Sequence, residues 1–132
     1  MTVWLDRRIV LAVHDEQLAQ HGGAPGVRDE GLLESALARP LNRAGYGDPD
    51  IPELAALYAI AITRNHPFVD GNKRAAFGAL VLFLSLNGLE LEAPEADAVI
   101  IMLRMAAGDV SDEEFTDWVR AHAELQGEED AR

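Results

Sequence analysis

Residues Glu53 to Asn87 read ELAALYAIAITRNHPFVDGNKRAAFGALVLFLSLN. Both ends of this stretch are strongly apolar and neither alternates at period 2 as a strand would, so two helices are expected. Pro52 stands in the first turn of the upstream helix, where its missing N–H does no harm. Asp70 is placed to cap the downstream helix, and Asn87-Gly88 offers it a left-handed stop. That second helix is apolar nearly all round, which puts it at the centre of a bundle. Between the two lies HPFVDGNKR, His66 to Arg74, with an imidazole, a carboxylate, a glycine, an amide and two cations at one bend.

Working outward, about Arg7 to Gln20 sets Ile9, Leu11, Ala12, Leu18 and Ala19 near one helical face and stops at HGG. After the loop APGV, Asp29 is an N-cap for EGLLESALA, which Pro40 is expected to close. Residues 41–50, LNRAGYGDPD, carry the turn chemistry of a long surface loop. LELEA, from Leu89, forms at most a minor hairpin. Pro94 opens ADAVIIMLRMAAG, and Ser111-Asp112 cap EEFTDWVRAHAEL. The expected fold is all-α: a single compact bundle of about six helices around a central buried helix. It covers residues 1–125, followed by an acidic tail at 126–132. No repeat or low-complexity linker interrupts it.

At 132 residues and 48% apolar composition the chain suits one domain with an ample core. The absence of cysteine excludes a disulfide scaffold or thiolate metal site and suits a reducing compartment. MTVWLDRRIV has no apolar core of a secretory leader, and the longest apolar run, AAFGALVLFLSL, is too short to span a bilayer. A cytoplasmic location is expected. The formal net charge of −12 argues against a broad nucleic-acid surface. Half of that charge falls between Ser111 and Arg132, where eight acidic residues face two arginines. Lys73 is the single lysine beside ten arginines. A compact ammonium differs physically from a planar fork, so its place inside the polar bend suggests a small site that needs the compact head.

The bend has a chemical reading. A helix N-terminus presents unpaired N–H groups and a positive dipole end to anions. With the helix starting near Gly71, the amides of Gly71, Asn72 and Lys73 face its mouth, joined by the Lys73 and Arg74 cations. Gly71 admits another group close to the backbone. Asp70 at the rim is suited to Mg²⁺ bridging phosphate oxygens. His66, one turn earlier, is suited to taking a proton from a hydroxyl. Together they describe attack of a hydroxyl on a nucleotide phosphate. The plain alternative is that Asp70 is only a cap, Gly71 only a turn residue, Phe68 a core anchor, and Lys73 and Arg74 solvated. Two cations in a first turn oppose the dipole, however, and call for a reason.

HPFVDGNKR resembles the core motif of the Fic/Doc family, typically HPFx(D/E)GNGR, and Lys73 in place of the second glycine resembles the Doc branch. The upstream GGAPGVRDEGLLESALARPLN is similar to Doc-like chains as well. The resemblance implies a toxin that uses ATP and Mg²⁺ to phosphorylate a hydroxyl of a translation protein of the elongation factor Tu class. Lys73 would crowd the space that inner phosphates occupy in AMP-transferring relatives and favour an inverted nucleotide presenting its γ-phosphate. By the same resemblance, His66 is the general base and Asp70 positions metal or reacting groups, with Lys73 the third catalytic residue. Gly71, Asn72, Lys73 and Arg74 hold phosphates, and Arg64 is a further phosphate candidate against a plain surface role. Pro67 and Gly71 are Fic-like, and Gly78 stands where Doc-like chains carry a polar residue, so AMP transfer stays open as an alternative. A catalytically silent binding module is a third.

The self-inhibitory pattern (S/T)xxxE(G/N) fails at Glu30-Gly31 because Gly26 occupies its first position. The resemblance therefore implies a brake in trans, a Phd-like antitoxin whose flexible segment docks on a groove of the bundle. The acidic balance favours basic residues in that segment. Other residues read more plainly. His14 and His21, with Asp15 or Glu16, offer a conceivable metal pair, against helix-surface or capping roles. Arg28 and Asp29 suit a local ion pair or cap, and Trp4, Trp118, Phe115, Met102 and Met105 suit packing.

Overall fold

The computed structural model describes residues 1–127. Six helices follow in order: α1 (Arg7–His21), α2 (Glu30–Ala44), α3 (Ile51–Asn65), α4 (Asn72–Leu86), α5 (Glu95–Ala107) and α6 (Asp112–His122). Their starts are set by short polar side chains that accept the N–H groups a helix leaves unpaired. Asp6 accepts from Ile9, Asp29 from Leu32 and Asp50 from Glu53, while Ser111 and Glu114 form a reciprocal capping box. The expected all-α bundle is the observed one.

Its centre, however, is α3 rather than α4. From Leu54 to Thr63 every residue except Leu57 is buried, whereas α4 leaves Phe77, Val81 and Leu82 only partly covered. The reason is size: Ala55, Ala56, Ala59 and Ala61 let neighbouring helices approach α3 closely. Helix α3 packs against α2, α4, α5 and α6, and α4 against α1 and α3. Tyr58 crosses this core, stacks obliquely on Phe83 with centroids 5.0 Å apart, and accepts the Leu5 N–H at 3.1 Å. Phe115, Met102 and Met105 are buried, and Trp4 and Trp118 pack against the core.

Three local expectations give way to tertiary packing. Pro40 does not close α2; the helix continues to Ala44 with Pro40 buried inside it. Packing of α2 on α3 outweighs the lost hydrogen bond, and residues 41–44 join the helix instead of the loop. Helix α6 stops at His122, and Ala123–Leu125 become a strand, β2, paired antiparallel with β1 (Leu89–Leu91). Leu89 faces Leu125 and Leu91 faces Ala123, a pairing that joins segments far apart in sequence. Gln126, at the start of the stretch read as a tail, donates to the Ser85 carbonyl at 2.7 Å, and its own N–H to the Gly88 carbonyl at 3.0 Å. Residues 128–132 of that stretch lie outside the described residues. No helix among the described residues is long and apolar enough to cross a membrane.

Candidate active site

Helix α3 ends at Asn65, and His66 turns the chain out of it in the left-handed conformation, φ 53° and ψ 52°. Among the described residues it is the one non-glycine with positive φ. Such a backbone costs about 1–2 kcal/mol and concentrates at functional sites. Arg28 supports it from the α1–α2 loop: Nε donates to the His66 carbonyl at 2.7 Å and Nη2 to the Asn65 carbonyl at 3.0 Å. A cation thus caps the negative end of α3. The loop and the motif run side by side. Pro67 O accepts the N–H groups of Arg28 and Asp29 at 2.6 and 3.1 Å, and Val69 N–H donates to Gly26 O at 3.0 Å. Asp29 itself caps α2, so no Arg28–Asp29 ion pair is needed.

Asn72 lines the cavity mouth but turns its side chain inward. It is 4% exposed, its Oδ1 accepts the Phe68 N–H at 2.9 Å, and its Nδ2 donates to the Phe68 carbonyl at 3.0 Å. The side chain closes the turn above the fully buried Phe68 ring instead of reaching outward to phosphate. Its backbone N–H remains in the first turn of α4, with those of Lys73 and Arg74, ahead of the first helical bond from Ala75 N–H to Gly71 O at 2.9 Å.

Asp70 does not cap α4. The cap position belongs to Gly71, at φ 75° and ψ 23°, with no side-chain cap bond. The Asp70 carboxylate instead accepts the N–H of Gly71 at 2.8 Å and that of Ala24, across the α1–α2 loop, at 3.2 Å. Gly23 makes that approach possible, since a Cβ there would sit 2.9 Å from Asp70 Oδ2. The Ala24 and Gly71 amides, helped by the nearby Arg74 cation, hold the Asp70 carboxyl below the usual carboxylate value.

His66, Val69, Asp70, Gly71, Asn72, Lys73 and Arg74 line a single cavity of about 290 Å³ at the mouth of α4. That is the lower end of the size of small-molecule sites. Within 4 Å, neither Lys73 nor Arg74 has a carboxylate partner among the described residues, so both charges are uncommitted at the cavity. Arg64 is the exception among the expected site residues. Its guanidinium makes a two-pronged pair with Asp112 of α6, Nη1 to Oδ2 at 3.0 Å, and it does not line the cavity. Its place in the last turn of α3 aims it at the capping turn of α6.

The sequence reading missed the residue beneath the site. His14 of α1 is 2% exposed, not a helix-surface group, and it lies parallel to the Phe68 ring with centroids 3.8 Å apart. Its Nε2–H donates to the Asp70 carbonyl at 2.7 Å, which takes it out of any metal pair with the exposed His21. Among the described residues no three His, Asp or Glu side chains gather as a metal cage. The face of α1 was also misjudged: Ala12 and Ala19 are exposed, and the buried positions are Val10 and His14. Val10, His14 and Leu18 recur every four residues, a signal that would have turned His14 inward.

Comparison with known proteins agrees with this arrangement. The family model described as Fic/DOC family matches residues 4–84, from the first helix through the motif and most of α4. The chain belongs to the Fic/DOC family. Within it the chain falls in the Doc branch. It is 35% identical over 114 residues to "Protein kinase doc" of Escherichia phage P1, covering 84% of this chain and 88% of that one. It is 44% identical over 96 residues to "Toxin Doc" of Mycolicibacterium smegmatis strain ATCC 700084 / mc(2)155, covering 70% and 71%. As a Fic/DOC protein it keeps the motif histidine on a strained turn and opens the buried helix directly behind it.

Proposed function

We propose that this Fic/DOC protein is a Doc-like toxin that transfers the γ-phosphoryl group of ATP to a hydroxyl of a translation protein, of the elongation factor Tu class, and so arrests translation. One observation carries the reading: His66 and two cations without a carboxylate partner among the described residues, Lys73 and Arg74, line the same cavity at the N-terminus of a largely buried helix. The names of its relatives, a protein kinase and a toxin, agree with it.

The chemistry follows from the groups present. The Lys73 ammonium, the Arg74 guanidinium and the first amides of α4 bind the phosphate chain and neutralise the charge that spreads over the γ-phosphoryl oxygens. An imidazole nitrogen of His66 takes the proton of the incoming hydroxyl. The hydroxyl oxygen forms a bond to the γ-phosphorus as the bond to the β–γ bridging oxygen breaks, and ADP leaves. His66 leaves α3 in a left-handed turn and lines the cavity. A magnesium ion fits Asp70: each carboxylate oxygen accepts one N–H and keeps a second lone pair, and Mg²⁺ needs only one or two carboxylates besides phosphate and water. When bound, it would supply charge neutralisation for the phosphates.

Control in trans by a Phd-like antitoxin fits this reading, because the self-inhibitory pattern is absent around Glu30-Gly31. AMP transfer is the second reading, favoured by the Fic-like Pro67 and Gly71. ATP labelled at γ or at α, incubated with the protein and a translation extract, separates the two. Label moving from γ into protein, and lost in His66→Ala, is the expected result. Label moving only from α gives the second reading, and none from either refutes both and leaves a binding module.

A further inference from the structure

We infer that His14 is a positioning residue for Asp70, acting from the core beneath the cavity. This rests on the proposed role of Asp70 in phosphoryl transfer. A carbonyl oxygen only accepts, so the 2.7 Å contact between His14 and the Asp70 carbonyl means that Nε2 carries the proton. The Asp70–Gly71 peptide is trans, so its carbonyl and its N–H point in opposite directions. With the carbonyl drawn inward to His14, the Gly71 N–H is turned outward, where Asp70 Oδ1 accepts it at 2.8 Å. The second carboxylate oxygen is then left facing the Ala24 N–H at 3.2 Å. His14 therefore fixes the peptide plane, and the plane fixes the carboxylate.

The imidazole is itself held rigidly. It stacks on Phe68 with the ring planes 7° from parallel, and Phe68 is in turn clamped by Asn72 through both its N–H and its carbonyl. Leu18 and His14 form the floor under Gly71, 3.4 and 3.6 Å from where a Cβ would stand. Without the donor, the Asp70 carbonyl would be unpaired against the core, and the Asp70–Gly71 peptide would be free to rotate in the left-handed turn that glycine tolerates.

Three variants separate the hydrogen bond from the ring. His14→Gln keeps a terminal N–H donor, His14→Met has the same reach without one, and His14→Phe keeps the stack on Phe68 without a donor. Each is followed by thermal unfolding, by the ¹H–¹⁵N resonances of Gly71 and Ala24, by ATP affinity and by γ-phosphoryl transfer. In Met and Phe the two amide resonances shift and kcat falls about tenfold to a hundredfold, as small misplacements in a site do. ATP affinity, carried by Lys73 and Arg74, stays within about threefold, and Gln restores both the resonances and kcat to within about threefold of the parent. Met or Phe matching the parent in resonances and rate overturns the inference. So does Gln failing alongside Met at equal unfolding temperature. Should Phe not fold, the Gln–Met pair decides. A parent protein that transfers no phosphoryl group refutes the proposed function, while the amide resonances still decide whether His14 sets Asp70.

Discussion

Replacing Asn72 by alanine separates two physical roles. If the amide were a phosphate ligand, its loss would weaken ATP and leave the fold unchanged. In the structure it satisfies both backbone groups of Phe68, whose ring is fully buried. Truncation leaves one buried N–H and one buried carbonyl unpaired, each costing about 1–3 kcal/mol. The two together would cost about 2–6 kcal/mol, and local relaxation and water entry from the cavity side bring this to about 2–4 kcal/mol. With a urea slope of about 1.5 kcal/mol per molar for a domain of this size, the midpoint moves down by about 1.3–2.7 M. Lys73→Ala, by contrast, removes an exposed cation and changes stability by less than about 0.5 kcal/mol. The assay is urea unfolding followed by intrinsic fluorescence of Trp4 and Trp118, alongside ATP titration of both variants below their transitions. An Asn72→Ala protein with an unmoved midpoint and lost ATP affinity would refute the clamp and return Asn72 to the phosphates.

Other expectations are briefer. Gly78→Ala improves helix propensity by about 1 kcal/mol, but the new Cβ meets Val13 Cγ1 at 2.6 Å, and prying α1 from α4 costs about 1–3 kcal/mol. A net loss of stability in chemical denaturation is expected, and a more stable protein would show that α1 yields freely. Arg120 beside Asp50 holds that carboxyl below its ordinary value, so the unfolded chain takes up its proton first as pH falls. Its contribution is complete above pH of about 4 and is lost as pH drops through the folded value, so Arg120→Ala should lower the neutral plateau of the stability–pH curve, leave its most acid end unchanged and so make the acid limb shallower. Binding of a Phd-like antitoxin, if carried by basic residues meeting the −12 charge, weakens as salt rises from low ionic strength, and a salt-independent affinity would refute that electrostatic idea.

The site was legible where its signals are local. His66, Asp70, Gly71, Lys73 and Arg74 lie within nine consecutive residues, and a helix boundary inside that span forces them toward one mouth whatever surrounds it. Arg64 was not legible, because two residues before His66 is still helix, and the helical turn sends its side chain to Asp112. The inward turn of the Asn72 side chain was not legible, because an amide suits a backbone clamp as well as it suits phosphate, and only the burial of Phe68 distinguishes the two.

The caps at Asp29 and Ser111, the helix count and the helix start just after the HPFVDG bend are properties of neighbours in the chain, governed by hydrogen bonds and periodicities a few residues long, and the sequence alone determined them. Which helix is central, that Pro40 is carried inside α2, that residues 123–125 pair with 89–91, and that an α1 histidine supports Asp70 were decided only by the tertiary structure. Each of those depends on surfaces brought together from distant segments, where packing and burial outweigh the weak preferences any short stretch can express.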